Sequence, residues 1–283
     1  MTYKMRLIQN KYELKFKYII LSVLTSIMAC TTYSILGEYS YENLKSQLLN
    51  SNNINKEILI EKLNEYPEIN QILDNINLYP VSLINLASNN IEAIDFVVDY
   101  PEYSGKITSG NISIKEDYKK GKIPLFIQWD KRWGYDKYGD EFIAINGCGP
   151  TSIAMVAVGL TGNTDINPKI VADYSRQNGY LVNGVGTKWN LMTKGVKQFG
   201  IIGTEINLSE ISIISNLKKG HPIIASMGPG EFTSKGHFIV LTGIDSEGRI
   251  IVNDPNSKVK SEKTWDIDVF MKETKNLWSF EAI

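Results

Sequence analysis

Cysteine and histidine are scarce in this 283-residue sequence, which contains two of each, and neither sign of charge dominates, since the net charge is −1. Two cysteines form at most one disulfide. No basic cluster occurs beyond the N-terminus, which removes the electrostatic basis for nucleic-acid binding. The sequence also has no internal repeat or low-complexity tract. With 43% apolar and 22% charged residues, it has the composition of a globular protein with one main domain and a smaller region.

One long stretch carries no charge: residues 18–36, YIILSVLTSIMACTTYSIL, which include Cys30. Five basic residues and one acid precede it, a bias that predicts a cytoplasmic N-terminus with the rest of the chain outside. Region 1–36 is therefore interpreted as a basic leader followed by membrane material. Three forms stay open: an uncleaved anchor, a cleaved secretory signal, and a lipoprotein signal that ends at a lipid-modified Cys30. A buried helix of a soluble protein is the simpler alternative.

The region that follows, residues 37–105, has apolar residues at helical spacing and is punctuated by Pro67, Pro80 and Pro101. We predict a helical spacer or cap for the next domain. The region contains no cysteine or histidine, so it offers no obvious nucleophile or metal ligand. An inhibitory or partner-binding role is the alternative to a spacer.

A second domain is predicted over residues 106–283, after a Gly/Ser/Thr-containing link. One strongly helical stretch covers residues 149–160, and β-branched runs at 222–227, 237–245 and 249–255 predict strands. The DSEG sequence between the last two runs predicts a hairpin turn. Helix first and antiparallel sheet afterwards is an α+β layout.

The second cysteine, Cys148, stands at the predicted start of that helix, in NGCGPTSIAMV. The positive end of a helix dipole lowers the pKa of a thiol. Pro150 fits a first helical turn, and Gly147 and Gly149 leave the approach to the sulfur uncrowded. These features fit a nucleophile, and they fit equally well a small apolar residue packed at the helix start.

The chain offers two histidines as a base for this thiol. His221 lies in KKGHPII, where a solvated turn residue is the simplest interpretation. His237 begins a predicted strand, from which a side chain projects more readily into a cleft, so His237 is preferred. The predicted hairpin brings Asp254, at the end of the next strand, opposite His237, where a carboxylate can orient the ring. For Asp254 the alternative is an ordinary Asp-Pro turn.

The order of Cys148, His237 and Asp254 resembles that of the papain-like cysteine peptidases, and the local sequences are similar to those of the C39-like peptidase family. Four stretches carry this resemblance: PLFIQWDKRWGYDKYG, NGCGPTSIAMV, KGHFIVLTGID and IVNDPNS. The resemblance implies a papain-like α+β fold, with Cys148 as the nucleophile, His237 as the general base and Asp254 as the acid that orients it. It also implies that Gln128 is the oxyanion-hole residue and that no metal or organic cofactor is needed.

The function so implied is that of a cysteine peptidase, a hydrolase that acts on a peptide or protein substrate. The N-terminal segment predicts that it works outside the cytoplasm, either anchored to the membrane or secreted. An amidase or peptidoglycan-peptide hydrolase with the same chemistry is the alternative enzyme. A surface binding module without activity is the alternative from another class, although it has no chemical need for all four site residues. The Gly-rich loop at 227–236 is interpreted as a flexible segment that either lines the cleft or only connects.

Overall fold

A computed structural model describes residues 54–104 and 112–283. By its contacts the chain divides into two compact units, Met1–Glu65 and Tyr66–Ile283. In the first unit the structure describes helix α1 (Ile54–Lys62) and the turn after it. The predicted leader and membrane segment, with Cys30, lie outside the described residues. Among the helices that are described, none has the length and apolar character that crossing a bilayer requires.

The second unit begins with a run of short helices. They are α2 (Ile69–Asp74), α3 (Val81–Asn89), α4 (Ile94–Val98) and α5 (Tyr100–Tyr103), with 3-10 turns at Ile76–Leu78 and Ile91–Ala93. Pro80 stands directly before α3, and Pro101 lies in the first turn of α5, where a missing N–H breaks no helical hydrogen bond. This agrees with the short, proline-punctuated helices predicted from the sequence.

These helices belong to the same compact unit as residues 112–283. Phe96 of α4 is buried, and its ring stacks on Tyr135 with the centroids 4.1 Å apart. The Tyr135 hydroxyl donates to the Phe96 carbonyl at 2.6 Å, and a Cβ on Gly134 would lie 2.7 Å from the Phe96 ring. The predicted domain boundary between 105 and 106 falls among residues 105–111, which the structure does not describe, and stays a prediction.

The remainder of the second unit combines helices with an antiparallel sheet. Its helices are α6 (Ile143–Asn146), α7 (Cys148–Thr161), α8 (Pro168–Gln177), α9 (Glu210–Lys218), α10 (Lys258–Ser261) and α11 (Ile267–Glu273), with 3-10 turns at Trp189–Leu191 and Gly195–Phe199. Two small hairpins are formed by β1 (Lys137–Tyr138) with β2 (Glu141–Phe142) and by β3 (Leu181–Val182) with β4 (Gly186–Thr187). The strands of the main sheet are β5 (Ile201–Ile206), β6 (Ile223–Met227), β7 (His237–Ile244), β8 (Ile250–Asn253), β9 (Thr264–Trp265) and β10 (Thr274–Ala282).

The main sheet has the strand order β5-β10-β6-β7-β8-β9, and every pairing in it is antiparallel. Both faces of its central strands β6, β7 and β10 are covered, and side chains alternate between two cores along these strands. Ile224 and Val240 join the core that contains α7, whereas Ala225 and Ile239 join the core that contains residues of α9 and α11. The predicted α+β layout with an antiparallel sheet is confirmed.

Helix α7 lies in the larger core, and its residues from Gly149 to Val158 are all buried. It contains no charged side chain, so the whole surface of the helix can be covered. The helix ends at Gly162, whose φ of 72° is the left-handed conformation that glycine adopts at low cost. Ser152 hydrogen-bonds to the carbonyl of Phe238 at 3.4 Å, which ties the start of α7 to the start of β7.

Candidate active site

Cys148 is the first residue of α7, and its side chain is free of disulfides and partly exposed. The thiol therefore lies where the unpaired N–H groups of a helix meet the surface. Gly149 follows, and a Cβ at that position would lie 2.6 Å from Thr187 Oγ1. Close packing of the β3–β4 hairpin against the helix thus explains Gly149, rather than the open approach expected from the sequence.

His237 is the first residue of β7, and Asp254 directly follows β8. His237 Nε2 lies 2.6 Å from Asp254 Oδ1, and the two side chains are 8% and 1% exposed. The hairpin therefore brings together two residues that are 17 positions apart in sequence. Because Asp254 occupies Nε2, the ring nitrogen left to face Cys148 is Nδ1.

Cys148 and His237 lie close enough to influence each other's ionisation, and their surroundings favour the charged forms of both. Burial alone raises the pKa of the Cys148 thiol, but the hydrogen bond and charge of His237, with the N–H groups of Phe238 and Gly149, lower it overall. Burial alone lowers the pKa of His237, but the charge and hydrogen bond of Asp254, with the interaction with Cys148, raise it to about 10. The site is therefore suited to a thiolate–imidazolium pair, whose titrations belong to the pair as a whole.

Gln128 is buried between the segment before α7 and the turn after β8. Its side-chain Nε2 donates to the carbonyl of Ala144 at 2.7 Å, and its backbone N–H donates to the carbonyl of Pro255 at 2.7 Å. Nε2 also donates to the carbonyl of Ile145 at 3.4 Å, so two backbone carbonyls hold the side-chain amide near the start of α7. The buried Oε1 atom has no hydrogen-bond partner among the described residues.

Two neighbours of the site were not found from the sequence. The Tyr138 hydroxyl hydrogen-bonds to Ser175 at 2.7 Å and to Thr187 at 2.9 Å. Burial raises its pKa despite those bonds, and the nearby charge of Cys148 adds to the rise. Asn256 donates its backbone N–H to Asp254 Oδ1 at 2.8 Å. No residue type or spacing marks either contact, because the partners of Tyr138 lie 37 and 49 positions away in sequence and Asn256 acts through its backbone.

His221 lies at the opposite end of β6 from His237. Its Nε2 is 3.9 Å from Glu281 Oε2, and a third of its side chain is exposed. The structure therefore keeps His221 apart from Cys148 and brings His237 to it.

The loop at 228–236, immediately before His237, is tied down at several points. Phe232 is buried, with its ring 4.5 Å from that of Trp265. The Glu231 N–H donates to Glu273 Oε2 at 2.8 Å, and the Gly228 N–H donates to the carbonyl of Glu273 at 2.7 Å. The loop that was expected to be flexible is instead anchored to the core that contains residues of α9 and α11.

A thiol paired with a buried histidine, at the junction of a helix and an antiparallel sheet, defines the class of cysteine-dependent hydrolases. The model of the Peptidase_C39 like family matches residues 120–282, which is more than half of the chain. The chain belongs to this family and is a cysteine peptidase. The resemblance proposed from its four sequence stretches is therefore confirmed.

Among the solved structures similar to this chain is the crystal structure of the peptidase domain of Streptococcus ComA, described as a bifunctional ABC transporter involved in a quorum-sensing pathway. The sequences are 19% identical, the TM-score is 0.40, and the match covers 58% of this chain and 99% of that one. No curated protein matches the chain.

Proposed function

We propose that this peptidase hydrolyses peptide bonds outside the cytoplasm, with Cys148 as the nucleophile and His237 as its base. The single observation that carries the proposal is the buried contact of 2.6 Å between His237 Nε2 and Asp254 Oδ1, on a ring whose charge also interacts with Cys148. A nucleophile, a base and a group that orients the base are the three parts of a hydrolytic triad.

In the proposed reaction the Cys148 thiolate attacks the carbonyl carbon of the scissile peptide bond. The carbonyl π electrons move to oxygen, and the resulting oxyanion accepts from the Cys148 backbone N–H and from the Gln128 side-chain amide, which gives up its longer contact of 3.4 Å with the Ile145 carbonyl. Collapse of the intermediate breaks the C–N bond, and the His237 imidazolium gives its proton to the leaving amine.

Water completes the cycle. His237, now neutral, takes a proton from a water molecule, whose oxygen attacks the thioester. The second intermediate releases the carboxylic acid and the thiolate, and His237 is again protonated. Throughout, Asp254 accepts a hydrogen bond from Nε2, which keeps Nδ1 directed at the sulfur.

The pH dependence of Cys148 alkylation by iodoacetamide tests this proposal in the full-length protein. Peptide mass spectrometry separates the modification of Cys148 from that of Cys30. We expect a reactivity pKa below about 8.5, the value for an ordinary thiol, that rises in His237→Ala because the imidazolium is lost. His221→Ala is the matched control and leaves the profile unchanged. An unshifted thiol in the wild-type protein would contradict the proposal.

The location outside the cytoplasm is proposed from the basic residues that precede the uncharged stretch 18–36. A membrane-impermeant maleimide added to intact cells tests it. We expect Cys148 to be labelled without permeabilisation. Labelling that appears only after the cells are permeabilised would place the site on the cytoplasmic side.

A further inference from the structure

The turn that carries Asp254 is held by residues that lie outside the family-matched part of the chain. Asn90 and Glu92 belong to the helical segment, here residues 66–104, and the family match begins at residue 120. Both residues contact the segment 256–259, directly after Asp254. Their contacts are with backbone groups as well as side chains, so they constrain the course of the turn.

Glu92 binds the start of the short helix α10 with its whole carboxylate. The Ser257 hydroxyl donates to Oε1, and the N–H groups of Lys258 and Val259 donate to Oε2 at 2.7 and 3.2 Å. Ser257 is also the N-cap of α10. The carboxylate thus satisfies N–H groups that a helix start leaves unpaired, and charge-assisted bonds of this kind are about twice as strong as neutral ones.

Asn90 acts one residue closer to the catalytic acid. Its Nδ2 donates to the carbonyl of Asn256 at 2.7 Å, and the same carbonyl accepts from Trp129 Nε1 at 3.1 Å. Asn90 itself is fixed, because its Oδ1 caps the 3-10 turn by accepting from the Glu92 N–H at 3.1 Å. The carbonyl of Asn256 is therefore held from two directions.

The N–H of Asn256 transmits this constraint to the catalytic acid. It donates to Asp254 Oδ1 at 2.8 Å, the same oxygen that contacts His237 Nε2. Asp254 Oδ2 has no hydrogen-bond partner among the described residues. The orientation of the carboxylate thus depends on the two contacts at Oδ1. One of them comes from the Asn256 N–H, so its position is set by the turn that carries Asn256.

We propose that Glu92 and Asn90 are positioning residues of this peptidase, which act through the turn 254–259 to hold Asp254 against His237. The inference rests on the proposed function. It gives the helical segment a role in catalysis, as a support for the acid of the site rather than as a spacer or an inhibitor. Neither residue touches the reacting atoms, so each acts only through the geometry of Asp254.

The expected signature lies in the reactivity of the thiol. The titratable groups that face the pair are Asp254 at His237, and Tyr138 at Cys148. When Asp254 loosens, the imidazolium loses its partner, and the thiolate is then stabilised less. Glu92→Gln, which keeps the shape but removes the charge and one acceptor, is expected to raise the reactivity pKa of Cys148 by about one unit.

Alkylation of Cys148 by iodoacetamide as a function of pH, in the full-length protein, is the experiment. It needs no substrate, so it tests the proposed function and the positioning role of Glu92 and Asn90 separately. Glu92→Gln is compared with Asp95→Asn, an exposed acid on the same segment, which is expected to leave the profile unchanged. Asn90→Ser is the second variant, because serine keeps the cap of the 3-10 turn but loses the amide that reaches Asn256.

A raised reactivity pKa in Glu92→Gln and Asn90→Ser, but not in Asp95→Asn, supports the inference. If the wild-type pKa is low and both variants keep it, the positioning role is overturned while the proposed function stands, even if the variants melt at a lower temperature. If Glu92→Gln does not fold, Asn90→Ser decides. If the wild-type thiol itself is unshifted, the proposed function fails first and the positioning role with it.

Discussion

The four residues proposed for catalysis are held in two different ways. Cys148 and His237 are the first residues of a helix and a strand, whereas Gln128 and Asp254 lie in turns. The first two are fixed by helix and sheet hydrogen bonds. The two turns contact each other, since the Gln128 N–H donates to the carbonyl of Pro255. They are also fixed by contacts with residues that are distant in sequence. Regular elements thus carry the proposed reacting pair, and loops carry the groups that are proposed to orient it and to stabilise charge.

The largest loss of activity is expected for a substitution in a regular element, at the first residue of helix α7. Cys148→Ala removes the nucleophile and should lower peptide hydrolysis by about four to six orders of magnitude, as loss of a nucleophile does in other triad enzymes. Hydrolysis of a peptide selected from a library measures it, and circular dichroism checks that the fold is kept. Thr161→Ala, at the exposed end of the same helix, is the control. Activity retained in Cys148→Ala would mean that another group attacks the substrate.

Gln128→Ala tests the first of the two turns. Removing one oxyanion donor is expected to lower kcat by about 10²–10³ while KM changes little, since the donor acts on charge that develops in the transition state. Gln128→Glu has nearly the same shape but no N–H, and should lose a similar factor. If Gln128→Glu were fully active, the residue would have only a structural role.

Asp254→Asn tests the second turn and has a signature in pH. The imidazolium loses the carboxylate that raises its pKa, so the alkaline limb of kcat/KM, where His237 loses its proton, moves to lower pH by about 1–3 units. Asparagine keeps the oxygen that accepts from Nε2, and the rate at neutral pH is therefore expected to fall much less than in Cys148→Ala. The pH profile of kcat/KM measures both. If the alkaline limb of kcat/KM did not move in Asp254→Asn, Asp254 would not be the residue that orients His237.

The same division explains what the sequence could predict. The uncharged run after Cys148 and the β-branched run after His237 are local patterns, and they predicted the helix, the strands and the α+β layout. The His237–Asp254 contact followed from the hairpin, because its turn lies between two predicted strands. The contacts of Asn90, Glu92 and Asn256 join residues far apart in sequence or use backbone groups. No pattern of residue types therefore predicts them.

Gly149 shows most clearly what the sequence could not predict. The sequence suggested that glycine keeps the approach to the sulfur open, whereas the structure shows close packing against Thr187. A Cβ there would lie 2.6 Å from Thr187 Oγ1 and 2.8 Å from Thr187 Cβ, which is closer than side-chain atoms approach. Alanine is normally favoured over glycine in a helix by about 1 kcal/mol, but overpacking a buried contact costs about 1–3 kcal/mol, so Gly149→Ala is expected to be destabilising.

Chemical denaturation measures that change, and two variants show whether the clash is its cause. Gly243→Ala is the matched control, because its Cβ would lie 3.7 Å from Ile251 Cδ1, an ordinary contact. In a Thr187→Gly background the obstructing side chain is gone, and the added cost of Gly149→Ala should disappear there. If the cost persisted in that background, backbone conformation rather than the β3–β4 hairpin would select glycine next to the nucleophile.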